Sequence, residues 1–176
     1  MLKDQKIMKK AKKIKMIIMD VDGVLTDGRI ILGNKGEELK NFYVQDGQGI
    51  ALALQKGLII ALVSGRRSKV VERRAEELKI KEVYQNISKK IEVYSRLLKK
   101  YNLKDEEVAY IGDDLGDILP LKKVGLSLAP ANGVEEVRGI VHYVTRASGG
   151  RGAVREAIDI ILKAKKTVKV TFKGYG

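Results

Sequence analysis

Short apolar runs recur along the chain with room for a helix between each pair. Positions 14–19 are apolar apart from Lys15, and similar runs cover 58–63, 108–111 and 124–128. Such runs predict strands buried on both faces of a parallel sheet. The intervening stretches, roughly 49–55, 69–78, 89–100, 114–122 and 153–164, have the mixed spacing of amphipathic helices. Strands and helices in alternation predict an α/β fold: a central parallel sheet with helices on both faces. Segment 28–44 breaks the rhythm. It alternates polar and apolar residues around Gly33-Asn34-Lys35-Gly36, which predicts a β-hairpin flap beside the carboxyl end of the first strand. Alternation at 167–172 allows a short edge strand or a disordered end, and His142 falls in a predicted strand as a structural residue.

Charge changes the picture less than its total implies. The 176 residues carry a formal net charge of +13, which raises the possibility of nucleic-acid binding. The excess is terminal. Residues 1–15 hold +6, residues 163–176 hold +5, and the 147 residues between them only +2. That predicts solvated basic ends on a nearly neutral body. The expected organisation is a basic N-terminal extension (1–13), one domain (14–165) and a C-terminal tail (166–176). Hydrophobic content is 44% and charged content 32%, as in a soluble globular domain. No apolar run reaches membrane-span length, and no secretory leader is evident, so a cytoplasmic protein is expected. The absence of cysteine excludes disulfides, thiolate nucleophiles and Cys-based zinc sites.

Candidate chemistry gathers where the apolar runs end. Asp20 and Asp22 follow the first, Ser64-Gly65-Arg66 the second, and Gly112-Asp113-Asp114-Leu115-Gly116-Asp117 the third. In a parallel sheet these ends share one edge, where ligands bind. Carboxylates crowded there repel, and one stays protonated unless a cation intervenes; hard oxygen donors suit Mg²⁺. A cation draws a phosphate, which Asp20 can attack to give an aspartyl-phosphate. Asp22, two residues on in extended backbone, lies on the same side and can act as acid and base. Ser64 and a lysine would hold the phosphoryl oxygens. Blander roles compete. Asp-x-Asp is also a turn or cap, Ser64 and Asp113 could cap helices, and Asp117 is expected to order its loop. Gly149-Gly150-Arg151-Gly152 reads as an anion cradle or as a plain turn.

The run Asp20-Val21-Asp22-Gly23-Val24-Leu25-Thr26, the Ser-Gly-Arg, a lysine before a helix, and Gly112-Asp113-Asp114 resemble the four motifs of the haloacid dehalogenase-like phosphatases. Further features narrow the resemblance to the 3-deoxy-D-manno-octulosonate 8-phosphate phosphatases. These are Gly36-Glu37-Glu38-Leu39-Lys40, Asp46-Gly47-x-Gly49, Tyr110-Ile111-Gly112-Asp113-Asp114-Leu115, His142-Tyr143-Val144-Thr145-Arg146 and the Gly149–Glu156 stretch. The resemblance implies a three-layer Rossmann-like fold without a large cap domain. It implies Asp20 as nucleophile and metal ligand. Asp22 becomes acid/base and ligand through its carbonyl, and Asp113 the third protein ligand of Mg²⁺. Ser64 and Lys90 become phosphate binders, with adjacent Lys89 leaving that lysine open by one position. Tyr43, Val44, Gln45, Asp46, Gly47, Arg66 and Arg74 match substrate-contacting positions, while Gln45 and Ala51 replace arginines common in the family. The substrate implied is a phosphorylated sugar acid of lipopolysaccharide synthesis, with another nonulosonic acid phosphate or small sugar phosphate as the alternative. The assembly implied is a homotetramer with flap hairpins packed centrally, neighbours closing the sites and a C-terminal tail reaching one of them. A non-catalytic module binding nucleic acid or anionic surfaces through basic ends is the competing class.

Overall fold

The apolar runs do become the sheet. The computed structural model describes residues 2–166, so the alternating 167–172 segment lies outside the described residues. In chain order the elements are α1 (Leu2–Lys13), β1 (Met16–Met19), β2 (Ile31–Leu32), β3 (Glu38–Leu39), α2 (Val44–Gln55), β4 (Ile59–Val63) and α3 (Lys69–Glu77). Then come β5 (Glu82–Tyr84), α4 (Lys90–Tyr101), β6 (Val108–Ile111), α5 (Ile118–Lys123), β7 (Leu126–Ala129), α6 (Glu135–Arg138), β8 (Tyr143–Val144) and α7 (Ala153–Ala164). Six strands form one parallel sheet in the order β5-β4-β1-β6-β7-β8.

Strand β1 shows why two cores form. Its side chains alternate faces. Ile17 and Met19 join Ile7, Ala11, Ile50, Ala53, Val71, Ala75 and Ile158, from α1, α2, α3 and α7. Met16 and Ile18 join Val93, Tyr94, Leu97, Leu121 and Val137, from α4, α5 and α6. The result is the expected three-layer α/β fold. Among the described residues no cap domain covers it; the β2–β3 hairpin projects instead, pairing Ile31 with Leu39 and Leu32 with Glu38.

The chain leaves β1 for β4 and β5, then crosses back to place β6 on the other side of β1. This reversal makes a switch point, the usual place for a ligand crevice. Register aligns Met19 with both Leu62 and Ile111, so Asp20, Ser64 and Asp113 emerge from one edge.

Three differences from the sequence reading have physical causes. The basic N-terminal segment is not a solvated extension but a helix. Ile7 and Ala11, one turn apart, are buried against the core, and Lys10 donates to the Gly125 carbonyl at 2.9 Å. Helix α2 starts at Val44 rather than near 49, because Asp46 in its first turn has a buried partner surface on α7. Strand β5 is an edge strand of three residues, too short to give a periodic signal.

Candidate active site

The site grows from the tight turn after β1. Val21 carbonyl accepts from the amides of Leu25 and Thr26, which folds Asp20–Thr26 back across the sheet edge. Gly23 sits at φ +91°, and a Cβ there would fall 2.0 Å from Asp113 Oδ2. On the other side, a Cβ at Gly149 would lie 1.8 Å from the Gly23 carbonyl oxygen. Asn132 bridges the two segments, donating to the Gly23 carbonyl at 3.2 Å and accepting from the Gly149 amide at 2.7 Å. The glycine-rich stretch is thus a close backbone contact bracing the Asp20 turn.

Lys90, the first residue of α4, is buried with its ammonium 2.8 Å from Asp20 and 2.7 Å from Asp117. Lys89 points to solvent and pairs with Glu92 at 3.7 Å, so the lysine in the site is Lys90. Asp117 also accepts from the Tyr110 hydroxyl at 2.7 Å and from the Asp113 and Asp114 amides at 3.2 and 3.4 Å. Both its oxygens are engaged, so it orders the loop, as expected. Burial and the Asp117 charge push Asp20 up to about 6, against the pull of Lys90. Burial, Asp20 and Asp117 push Asp113 up to about 8. Burial works against the Lys90 charge, but the two carboxylates outweigh it and raise its pKa.

The donor set fits magnesium. Asp20, Asp113 and Asp117 bring carboxylate oxygens within 4.8 Å of one another. Three carboxylates beside one ammonium leave an excess negative charge. Asp113 Oδ1 is buried without a hydrogen-bond partner, an oxygen ready for a hard cation. Asp20, Asp113 and the Asp22 carbonyl would hold the ion, with Asp117 behind them.

Asp20, Asp22, Ser64, Arg66, Lys90 and Asp113 line one cleft of about 220 Å³. Buried Ser64 accepts from the Arg66 amide at 3.2 Å, which turns the hydroxyl oxygen inside that loop. Other expected contacts lie elsewhere. Asp46 is fully buried and accepts from the Gly152 and Arg155 amides at 3.3 and 2.7 Å. It is the anion at the α7 N-terminus, not a cleft residue. Gly47 is buried under Arg74, whose guanidinium lies over the Phe42 ring, 5.7 Å from its centroid. Tyr43, Val44 and Gln45 are exposed at the start of α2, outside the cleft lining.

Two partners were not anticipated. Lys40, from the hairpin, contacts Asp22, and Glu38 contacts both Lys40 and Arg66. The alternation Glu38-Leu39-Lys40 was the available signal, since residues two apart on a strand share a face.

A carboxylate pair, a buried lysine and a serine at the switch point of a capless three-layer sheet define a phosphatase of the haloacid dehalogenase type. The family model described as haloacid dehalogenase-like hydrolase matches residues 80–158. The chain is 48% identical over 159 residues to 3-deoxy-D-manno-octulosonate 8-phosphate phosphatase KdsC of Escherichia coli K12, covering 90% of this chain and 85% of that one. The crystal structure of the Yersinia pestis phosphatase of that name superposes with a TM-score of 0.90 at 46% identity, covering 92% and 87% of the two chains. The Moraxella catarrhalis phosphatase, in complex with magnesium, phosphate and KDO, gives 0.91 at 44% identity, covering 93% and 94%. A cobalt-bound Haemophilus influenzae relative gives 0.86 at 38%, covering 89% and 92%. The chain belongs to the 3-deoxy-D-manno-octulosonate 8-phosphate phosphatase family.

Proposed function

We propose that this chain is a magnesium-dependent phosphomonoester hydrolase that converts 3-deoxy-D-manno-octulosonate 8-phosphate to the free sugar acid and phosphate, in the cytoplasm, for lipopolysaccharide synthesis. The observation behind this reading is the convergence of Asp20, Lys90 and Asp113, with its orphaned oxygen, in one cleft.

Asp20 attacks phosphorus and the ester P–O bond breaks. Asp22 gives its proton to the departing sugar oxygen. Asp22 then takes a proton from water, which attacks the aspartyl-phosphate and frees Asp20 and phosphate. Lys90 and Ser64 hold the phosphoryl oxygens throughout. Bound magnesium would supply positive charge against the carboxylates and the phosphoryl group.

Arg66, half-exposed in the cleft lining, would meet a sugar carboxylate. The remaining recognition belongs to an assembly. Ile30, Ile31, Leu32 and Leu39 of the hairpin and Val44 beside it are exposed, an apolar patch that a homotetramer would bury. Tyr43, Val44 and Gln45 would then act at a neighbour's site. Asp46, Gly47 and Arg74 set the position of α2 beneath them.

Gln45 and Ala51, where the family resemblance leads one to expect arginine, favour a second reading with another nonulosonic acid phosphate as substrate. Phosphate release across a panel of sugar phosphates separates the two. The octulosonate ester should give the highest kcat/KM. Turnover no faster than that of 4-nitrophenyl phosphate would refute the substrate assignment.

A further inference from the structure

The hairpin contributes more than an apolar surface. Strand β3 is exposed at Leu39, 59% accessible, yet the Lys40 side chain is only 1% accessible. Glu38 and Lys40 are two residues apart in extended backbone, so both face inward while Leu39 faces out. Lys40 Nζ reaches Asp22 Oδ1 and lies 3.4 Å from Glu38 Oε1. Arg66 closes the circuit. Its Nη2 lies 3.3 Å from the same Glu38 oxygen, and its Nε lies 3.9 Å from Asp22 Oδ2. A buried ammonium requires opposite charge around it; Glu38 supplies it throughout, and Asp22 adds to it in the steps in which it is ionised.

The two oxygens of Asp22 are therefore unequal. Oδ1 is held by Lys40, whereas Oδ2 has the Arg66 guanidinium no nearer than 3.9 Å, and Asp22 lines the cleft. We propose that Lys40 is a positioning residue that locks the Asp22 rotamer, leaving Oδ2 as the oxygen that delivers the proton to the leaving group. The inference rests on the phosphatase reading above. Lys40 donates a hydrogen bond and keeps its protons; the transferred proton leaves Asp22 Oδ2 and is restored from the attacking water. Through Lys40 the seating of the flap is coupled to proton delivery, since the same hairpin carries Lys40 and the apolar patch.

The test uses two esters of similar size, phenyl phosphate and 4-nitrophenyl phosphate, with the full chain and magnesium. Phenolate needs a proton to leave; nitrophenolate does not. The ratio kcat/KM reports steps up to formation of the aspartyl-phosphate, so the later use of Asp22 as a base does not enter. Lys40→Met should lower kcat/KM for phenyl phosphate by about 100-fold and for the nitrophenyl ester by less than about fivefold, the signature of lost general-acid catalysis. Lys40→Arg, which keeps the charge, should restore part of the phenyl activity. Glu38→Gln, which loosens Lys40 without removing it, should give a weaker split of the same kind and guards against a folding defect in Lys40→Met. Equal losses on both esters in Lys40→Met and Glu38→Gln would overturn the proposal. If wild type hydrolyses neither ester, the phosphatase reading itself has failed, which is a distinguishable result.

Discussion

Gly23 bears on the site as much as any charged residue does. Its backbone occupies the left-handed region at φ +91°, and its missing Cβ leaves the space that the Asp113 carboxylate fills. An added methyl would have to displace that carboxylate or the turn. Gly23→Ala should weaken magnesium binding by about 10–100-fold, the range seen when groups that orient metal ligands are disturbed. Calorimetric titration of the purified variant measures this directly, and unchanged affinity would contradict the placement of the ion between Asp20 and Asp113. At this scale the sequence was most informative for Asp20, Asp22, Ser64 and Asp113. Each sits just past an apolar strand, and strand ends in a parallel sheet converge. It was least informative for Lys90, one lysine among many until α4 points it inward, and for Lys40, whose partner lies 18 residues away across a turn.

Helix α1 and the α2 N-terminus show where pattern reading stopped. A segment with seven lysines within its first fifteen residues looks solvated, yet an apolar pair at i and i+4 is enough to dock a helix against α7 and the core. Burial, not average polarity, decides the outcome. Ile7→Ala should lower the unfolding free energy by roughly 2 kcal/mol, near the bottom of the range for buried Ile→Ala because the site is peripheral. Chemical denaturation measures it; a change within about 0.5 kcal/mol, typical of a surface substitution, would return α1 to the role of a solvated extension. Likewise Asp46-Gly47-Gln48-Gly49 has the composition of a turn. It is helical because Asp46 meets the amides of α7, a partner more than 100 residues away that local propensity does not register.

At the scale of the molecule, the alternation of apolar runs and amphipathic segments was enough to give the α/β class, the central parallel strands and the projecting hairpin. The strand order depends on the crossover after β5, which places β6 beside β1 and sets Asp113 next to Asp20. The cleft opens beside the hairpin, whose Ile30, Ile31, Leu32 and Leu39 are exposed in the single chain. No helix among the described residues is long and apolar enough to cross a membrane.

The central claim is that Asp20 becomes phosphorylated. The most direct measurement is acid-quenched labelling of the protein with a radiophosphorylated ester, comparing wild type with Asp20→Asn in the presence of magnesium. Wild type should retain a hydroxylamine-labile label, absent without magnesium. Asp20→Asn should retain none and lose essentially all phosphate release. Labelling or turnover in Asp20→Asn at the wild-type level would contradict the account.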